Sequence, residues 1–115
     1  MSIQIIKKNQ GIARKISKNY QVTNFLTKDS SENASLAVSE ATNHSETTKN
    51  IRSDRVYYVL EGQLVVKKNN KEFVAKRGDV VFIPKNTEYH FEGTFKAILI
   101  NSPAFNPQDE QISKL

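Results

Sequence analysis

Short runs rich in β-branched and aromatic residues alternate with turn residues throughout the second half of the chain. The runs cover residues 55–61, 63–68, 72–75, 79–83, 89–91 and 95–100, and the turns between them are Gly62, Asn69-Asn70, Arg77-Gly78, Pro84-Lys85-Asn86 and Glu92-Gly93. This pattern predicts six short strands with tight connections. We expect an antiparallel, all-β domain, because a parallel sheet would need helical crossovers. Such a sheet closes into a barrel or folds into a sandwich to protect its edges.

The first half of the chain is less regular. Residues 3–6 start a short apolar segment, and residues 22–26 and 35–38 have the composition of strands. Residues 41–54 are polar with a single isoleucine, which predicts a surface loop or an edge strand at the mouth of a pocket. Residues 106–110 place a capping asparagine, a proline and two acidic residues in order, so one or two peripheral helical turns are expected there.

Length and charge narrow the class of protein. At 115 residues the chain has room for a single domain over residues 1–115, with a core barrel at about 20–101, an N-terminal strand segment 1–19 and a C-terminal tail 102–115. The net charge of +5 is spread without a basic stripe, so no nucleic-acid partner is expected. No apolar run is long enough to span a membrane, and the first ten residues lack the apolar core of a secretory signal. We therefore expect a cytoplasmic protein.

The chemistry open to a metal site is limited by composition. The chain has no cysteine and two histidines, His44 and His90. A metal would therefore need histidine, aspartate or glutamate ligands, and a site of three histidines is impossible within one chain.

Two stretches resemble the cupin superfamily. They are Y-Y-V-L-E-G at residues 57–62 and G-D-V-V-F-I-P at residues 78–84, which fit the spacing of the two cupin motifs, and the resemblance covers about residues 45–101. It implies a cupin-type jelly-roll barrel (a double-stranded β-helix) and a homodimer. It also implies that Phe105 in the tail packs back on the sheet, as in some small single-domain cupins.

The metal-binding residues of the family are all replaced. Counting back from Gly62 places Arg55 at the position of the cupin glutamate, and Asn50 and Thr48 at the positions of two histidines, while Tyr89 stands at the third histidine position. A permanently cationic arginine would repel a divalent ion. We therefore expect no metal and no other cofactor.

The histidines leave an alternative open. His90 follows Tyr89 directly, so it should point away from the pocket unless a β-bulge intervenes. His44 lies in the polar stretch and is expected to be solvated. A metal centre made of His44, His90 and either Asp54 or Glu46 is the alternative, as is an ordinary surface role for both histidines.

Strand alternation suggests a binding pocket in place of the metal. Arg55 and Tyr57 share one strand face, and Tyr89 and Phe91 share the face that cupins turn inward. The predicted ligand-binding residues are Thr48, Asn50, Arg55, Tyr57, Tyr89 and Phe91, with Thr48 and Asn50 at the mouth. Guanidinium, phenol and aromatic groups favour a small, partly apolar ligand with an anionic or carbonyl group. Alternatively, the tyrosines fill the core, and Arg55 forms a structural salt bridge with Asp54, Glu61 or Glu88.

Three functions follow from these residues. The first is a metal-free protein that binds a small molecule. The second is an enzyme resembling the sugar isomerases and epimerases of the cupins, with His44 or His90 as base and Tyr57 or Tyr89 as acid. The third is a metal-dependent enzyme that uses both histidines. A homodimer is expected in each case, through Val56, Tyr58 and Leu60 unless these face a second sheet.

Overall fold

Eight antiparallel strands make up most of the protein, whose computed structural model describes residues 3–113. The strands are β1 (Ile12–Ser17), β2 (Tyr20–Leu26), β3 (Ser35–Asn50), β4 (Asp54–Lys68), β5 (Lys71–Lys76), β6 (Val80–Ile83), β7 (Glu88–Ser102) and β8 (Glu110–Ser113). Two residues at each end of the chain, which belong to the predicted N-terminal segment and tail, lie outside the described residues. No helix of the described part is long and apolar enough to cross a membrane.

The strands pair in the order β1-β2-β3-β7-β4-β5, with β6 added to β4 and β8 added to β3. The two long strands β3 and β7 pair with each other along most of their length, and each also pairs with a second strand on its other side. The pairing does not close into a ring, and the rolled sheet is a jelly roll. The predicted all-β, antiparallel, cupin-type fold is thus confirmed.

Two predicted turns lie within strands. Runs 55–61 and 63–68 form one strand, β4, and runs 89–91 and 95–100 form one strand, β7. Gly62 and Gly93 have positive φ angles of 76° and 127°. A side chain at Gly62 would overlap the carbonyl oxygen of Thr94. Glycine therefore permits a close approach of two strands here and does not end a strand.

The prediction for residues 41–54 was only partly right. Most of this polar stretch belongs to β3, which has β7 on one side and, over Thr47 to Asn50, β8 on the other. It is therefore mainly a paired strand, and it has a free edge only at residues 43–46, where β7 is the one paired neighbour, while residues 51–53 form the connection to β4. The sequence did not predict a strand here because its inward-facing residues are polar. Inside the protein these residues form hydrogen bonds with other polar side chains.

The tail forms one helical turn where one or two were expected, but its continuation is not peripheral. Asn106 caps a single 3₁₀ turn, Pro107–Asp109, by accepting a hydrogen bond from the amide of Gln108 at 3.1 Å. The chain then continues as β8 and brings the side chain of Glu110 into the interior. Phe105 is half-buried, with its amide bonded to the hydroxyl of Ser35 at 2.8 Å.

The outer face of β4 and β6 carries exposed apolar side chains. Tyr58 pairs with Val80, and Val56 pairs with Phe82. Tyr58, Val80 and Phe82 are 41%, 62% and 58% exposed. We call these three residues the outer apolar patch. Val56, Tyr58 and Leu60 thus lie on the outer face of β4 and not toward the interior, which leaves them placed for the predicted dimer contact.

Candidate functional site

A bulge in β3 determines which of its side chains face the interior. Ala41 pairs with Phe95 and His44 with Gly93, so two residues of β3 lie opposite Thr94 alone. Asn43 takes up the extra residue with a φ of 47°, and its amide donates to the Thr94 hydroxyl at 3.0 Å. Inward positions are odd-numbered before the bulge and even-numbered after it. His44 and the alternate residues after it therefore face inward.

The interior contains a cavity between β1, β2, β3, β4, β7 and the tail. The cavity has a volume of about 90 Å³ and opens to solvent at its mouth. Ile16, Val22 and Leu99 form apolar walls, and Arg14 and Phe105 stand at the exposed side. The polar wall is formed by Asn24, Ser35, Glu46, Arg55, Tyr57, Asn101 and Glu110. Such a mixture suits a small molecule with both ring and hydroxyl groups.

Glu46 and His44 form a hydrogen-bonded pair on β3. The Nε2 atom of His44 lies 3.0 Å from Oε1 of Glu46, and the two side chains are 9% and 12% exposed. The imidazole stacks on the ring of Tyr20 at 4.6 Å, almost parallel, and Phe91 packs at 5.5 Å. Burial raises the pKa of Glu46, and the hydrogen bond and charge of His44 oppose this only in part.

Both members of this pair also reach solvent. Glu46 lines the interior cavity and a polar groove on the other side, and His44 lines that groove together with Lys18 and Asn19 of the β1–β2 turn. The carboxyl group therefore borders the interior cavity, and both members of the pair border the outer groove. This arrangement can pass a proton between the cavity and solvent.

Arg55 is the centre of a second polar cluster. Arg55 is 4% exposed, and its Nη2 and Nη1 atoms donate to the two carboxylate oxygens of Glu110 at 2.7 and 3.0 Å. Its Nε donates to Oδ1 of Asn101 at 2.9 Å, and Nη1 also donates to the Tyr89 hydroxyl at 3.0 Å. Thr48 and Asn50 complete the cluster by donating to Glu110.

The pKa of the Glu110 carboxyl is lowered. Burial alone would raise it, but the hydrogen bond and charge of Arg55, together with hydrogen bonds from Thr48 and Asn50, outweigh burial. Glu110 is therefore an anion in contact with a buried cation. This pair joins the tail to β4 by charge, in addition to the pairing of β8 with β3.

The tyrosines contribute neutral hydroxyls. The hydroxyl oxygens of Tyr57 and Tyr89 are 2.6 Å apart. Burial raises the pKa of Tyr57, of Tyr89 and of Tyr20, and in Tyr89 the nearby Arg55 opposes it only in part. Each phenol thus keeps its proton and can act as a hydrogen-bond donor.

The six predicted ligand-binding residues are all buried on inward faces. Thr48, Asn50, Arg55, Tyr57 and Tyr89 join one hydrogen-bonded network, and Phe91 packs on the tyrosine rings. Thr48 and Asn50 lie on β3 opposite Ile112 and Glu110 of β8, and they are not among the residues that line the cavity. Their role in binding a ligand stays a prediction.

The acid that pairs with Arg55 was missed. The sequence offered Asp54, Glu61 or Glu88, but the partner is Glu110, which is 55 residues away along the chain. Asp54 instead accepts a hydrogen bond from the amide of Lys85 at 2.9 Å. Sequence reasoning also gave no role to Tyr20 and Asn101. Strand alternation could have placed Asn101 inside, two residues beyond Leu99.

The two histidines lie on opposite faces of the sheet. His90 pairs with Thr47 and bonds the hydroxyls of Thr47 and Ser45 at 3.0 and 3.2 Å, with Glu92 at 3.6 Å. The expectation that His44 is solvated was wrong, because the bulge in β3 turns it into the interior, where it is buried. The two imidazoles therefore cannot hold one ion in this arrangement. Residues 3–113 bring together no group of three or more histidine, aspartate or glutamate side chains suited to a metal.

Comparison with known proteins gives one family match. The family model described as "Ethanolamine utilisation protein EutQ" matches residues 2–105. A putative ethanolamine utilization protein Q of Salmonella typhimurium has a solved structure that is 28% identical, with a TM-score of 0.65 over 75% of this chain and 71% of that one.

Two further proteins are similar. PAC13 of Streptomyces, a nucleoside dehydratase solved with uridine, is 27% identical in one variant, with a TM-score of 0.85 over 100% of this chain and 93% of that one. An uncharacterized protein of Methanocaldococcus jannaschii is 29% identical over 68 residues, or 56% of this chain. The chain spans about half (54%) of that relative's length.

Proposed function

The chain belongs to the family of the ethanolamine utilisation protein EutQ, and from that premise we propose that it binds a small, hydroxyl-bearing molecule of the nucleoside type in its interior cavity and transfers a proton on it. The observation that carries this proposal is the Glu46–His44 pair. It is buried, its two groups are 3.0 Å apart, and its carboxyl group lines the cavity.

The pair has the features of a general acid–base group. A glutamate whose pKa is raised by burial comes closer to neutral pH, where it can both accept and release a proton. His44 takes up or returns that proton on the side of the outer groove. A reaction that removes a proton from carbon and protonates a leaving hydroxyl, which is an elimination of water, needs such a reversible group.

The class of ligand is argued from the cavity walls and from PAC13. Tyr20, Tyr57 and Phe91 offer ring faces and edges, and the phenols, Asn24 and Asn101 offer hydrogen bonds to hydroxyl and carbonyl groups. PAC13, similar over the whole of this chain, was solved with uridine. A nucleoside combines a flat ring, carbonyl groups and hydroxyls, and so meets both kinds of wall.

Calorimetric titration with uridine tests the binding proposal. We expect binding by the wild-type protein and clear weakening in Glu46→Gln and His44→Gln. The matched controls are Glu92→Gln and His90→Gln, since these residues form a similar acid–histidine pair on the outer face, 3.6 Å apart. Equal loss in the inner and outer variants would contradict the placement of the site. If the wild-type protein shows no heat of binding with uridine or with a panel of other nucleosides, nucleosides are excluded as the class of ligand.

Incubation of the same nucleosides in D₂O tests proton transfer. Proton NMR and mass spectrometry would report deuterium entering a C–H position or the loss of one water. Glu46→Gln should slow either change by about a hundredfold or more, while His90→Gln should leave it unchanged. A bound nucleoside that shows neither change would reduce the protein to a binding module.

A further inference from the structure

The chain supplies a carboxylate to its own interior. In Glu110, Oε1 accepts from Nη2 of Arg55 at 2.7 Å and from Nδ2 of Asn50 at 2.9 Å. Oε2 accepts from Nη1 of Arg55 at 3.0 Å and from the hydroxyl of Thr48. Each oxygen thus has two donors. Arg55, Asn50 and Thr48 together form a complete carboxylate site, which Glu110 occupies.

The donors of this site are held in place without Glu110. The Oδ1 atom of Asn50 accepts from the amides of Ser53 and Arg52 at 2.7 and 3.0 Å, which turns Nδ2 toward the site. Asn101 fixes Nε of Arg55 from the other side at 2.9 Å. The site is therefore preorganised for a planar group with two oxygens, because the guanidinium fork meets both at once.

Glu110 also balances the charge of the cavity wall. Apart from Glu110, the groups hydrogen-bonded to Arg55 in the described residues are Asn101 and the Tyr89 hydroxyl, and both are neutral. Burying a cation without a counter-ion is very costly. The cation and the carboxylate therefore cancel, and this wall presents no net positive charge to a ligand.

The other charged groups on the cavity give an anion no buried cation. Arg14 is exposed to water at the mouth, with its guanidinium 5.7 Å from the centre of the Phe105 ring. Water screens a charge in that position. Glu46 is an acid, so its ionised form repels an anion. Attraction for an anionic ligand would thus have to come from Arg55, whose anion position is filled.

We propose that Glu110 is a specificity-determining residue: it holds the anion position of Arg55, so that the cavity takes uncharged ligands, and its removal turns the same three side chains into a site for the carboxylate of a small organic acid. The first half of this statement rests on the proposed function, since it concerns the ligand. The second half rests on the geometry of the cluster alone.

Sodium acetate is the probe for the carboxylate site. We expect Glu110→Ala to lower Tm by at least about 5 °C and acetate to restore part of the loss in a saturable way, compared with sodium chloride at equal ionic strength. Wild type, in which the site is filled, and Asp109→Ala, which loses the neighbouring acid, should show no acetate-specific gain. Glu110→Ala combined with Arg55→Met should not respond either.

Every result of this measurement decides the proposal. If Glu110→Ala does not fold in chloride, it should fold on addition of acetate, as followed by circular dichroism. A variant that stays unfolded in acetate, a folded one that ignores it, or a gain of the same size in wild type or Asp109→Ala would overturn the carboxylate site.

Calorimetry with uridine and its 5′-carboxylic acid analogue tests the ligand half. Wild type should bind uridine at least about tenfold more tightly than the acid, and Glu110→Ala should reduce that ratio by about tenfold or more. An unchanged ratio would remove Glu110 as the determinant of specificity. If wild type binds neither these compounds nor the other nucleosides of the panel, the proposed function fails, and the acetate measurement still decides whether Arg55 holds a carboxylate site.

Discussion

Replacing Arg55 by methionine should be among the most damaging single changes in this protein at neutral pH. The substitution keeps most of the apolar stem but removes the guanidinium, and with it the bonds to Asn101, Tyr89 and both oxygens of Glu110. The carboxylate, whose side chain is 12% exposed, keeps only Thr48 and Asn50 as donors. Breaking a buried ion pair by removing one partner costs about 3–5 kcal/mol of unfolding free energy. A small domain has about 5–15 kcal/mol in total, so the variant should be folded but marginal.

The stability lost in Arg55→Met should be larger at neutral pH than at acidic pH. In the native protein the pKa of Glu110 is lowered, so its contribution to stability is present above its unfolded pKa, about 4.3, and is lost as pH falls through the folded value. Without Arg55, burial dominates and the folded pKa rises above the unfolded one. Glu110 in the variant then favours folding in its protonated form, and this contribution is lost as pH rises. The difference between the two proteins is therefore largest at neutral pH and shrinks toward pH of about 4.

Urea unfolding followed by far-ultraviolet circular dichroism measures both effects. We expect a loss of about 3–5 kcal/mol at pH near 7 and less than half of that at pH near 4.5. Arg52→Met is the control, because its side chain is 61% exposed and lies 4.0 Å from Asp109, so its loss should stay below about 0.5 kcal/mol. A loss below about 1 kcal/mol for Arg55→Met, or the same loss at both pH values, would refute the reasoning.

Further predictions concern other parts of the molecule. Because burial raises the pKa of Glu46, the ionised form of this residue opposes folding. Glu46→Gln should therefore be at least as stable as wild type at neutral pH and should lose that advantage near pH 4. A large loss of stability at neutral pH would contradict the raised pKa. Gly62→Ala should lower Tm more than Gly78→Ala, since both have positive φ but only the first would overlap the Thr94 carbonyl; equal losses would show that backbone strain alone decides. Light scattering should give a dimer that Phe82→Lys converts to monomer, whereas a monomeric wild type at micromolar concentration would remove the dimer. Metal analysis of protein purified without chelators should find no stoichiometric ion, and one bound per chain would reopen the metal-dependent reading.

Alternation of inward and outward residues made much of the fold predictable. The runs from residue 55 onward have the composition and turn residues of antiparallel strands, and every predicted strand position except residue 79 lies in a strand. The structure also extends strands through Gly62 and through residues 92–94, which separated predicted runs. The same alternation placed Arg55, Tyr57, Tyr89 and Phe91 inside, which the structure bears out as positions. Local pattern was sufficient because these strands bury apolar and aromatic side chains on one face.

Two features lay beyond local pattern. The second half of β3 carries polar residues on its inward face, because they meet one another and Glu110 and not an apolar core. The tail reads like the first turn of a helix, and nothing within residues 106–113 shows that its acid meets Arg55. Such pairings join residues 55 to 62 positions apart, so only the tertiary fold reveals them. The bulge at Asn43 had one local signal, since asparagine tolerates the left-handed conformation.

The position of the extra residue, Asn43, in β3 determines which side chains of the strand face the cavity. If the irregularity slid past Asn50, the unaltered strand would present Ser45, Thr47 and Lys49 to the cavity, and the acid–base pair would turn out into solvent. Two substitutions could move the bulge. A β-branched residue at position 43 would resist the left-handed backbone there, and a glycine further along β3 would accept it. A different set of β3 side chains would then face the cavity, although none of those side chains had been substituted.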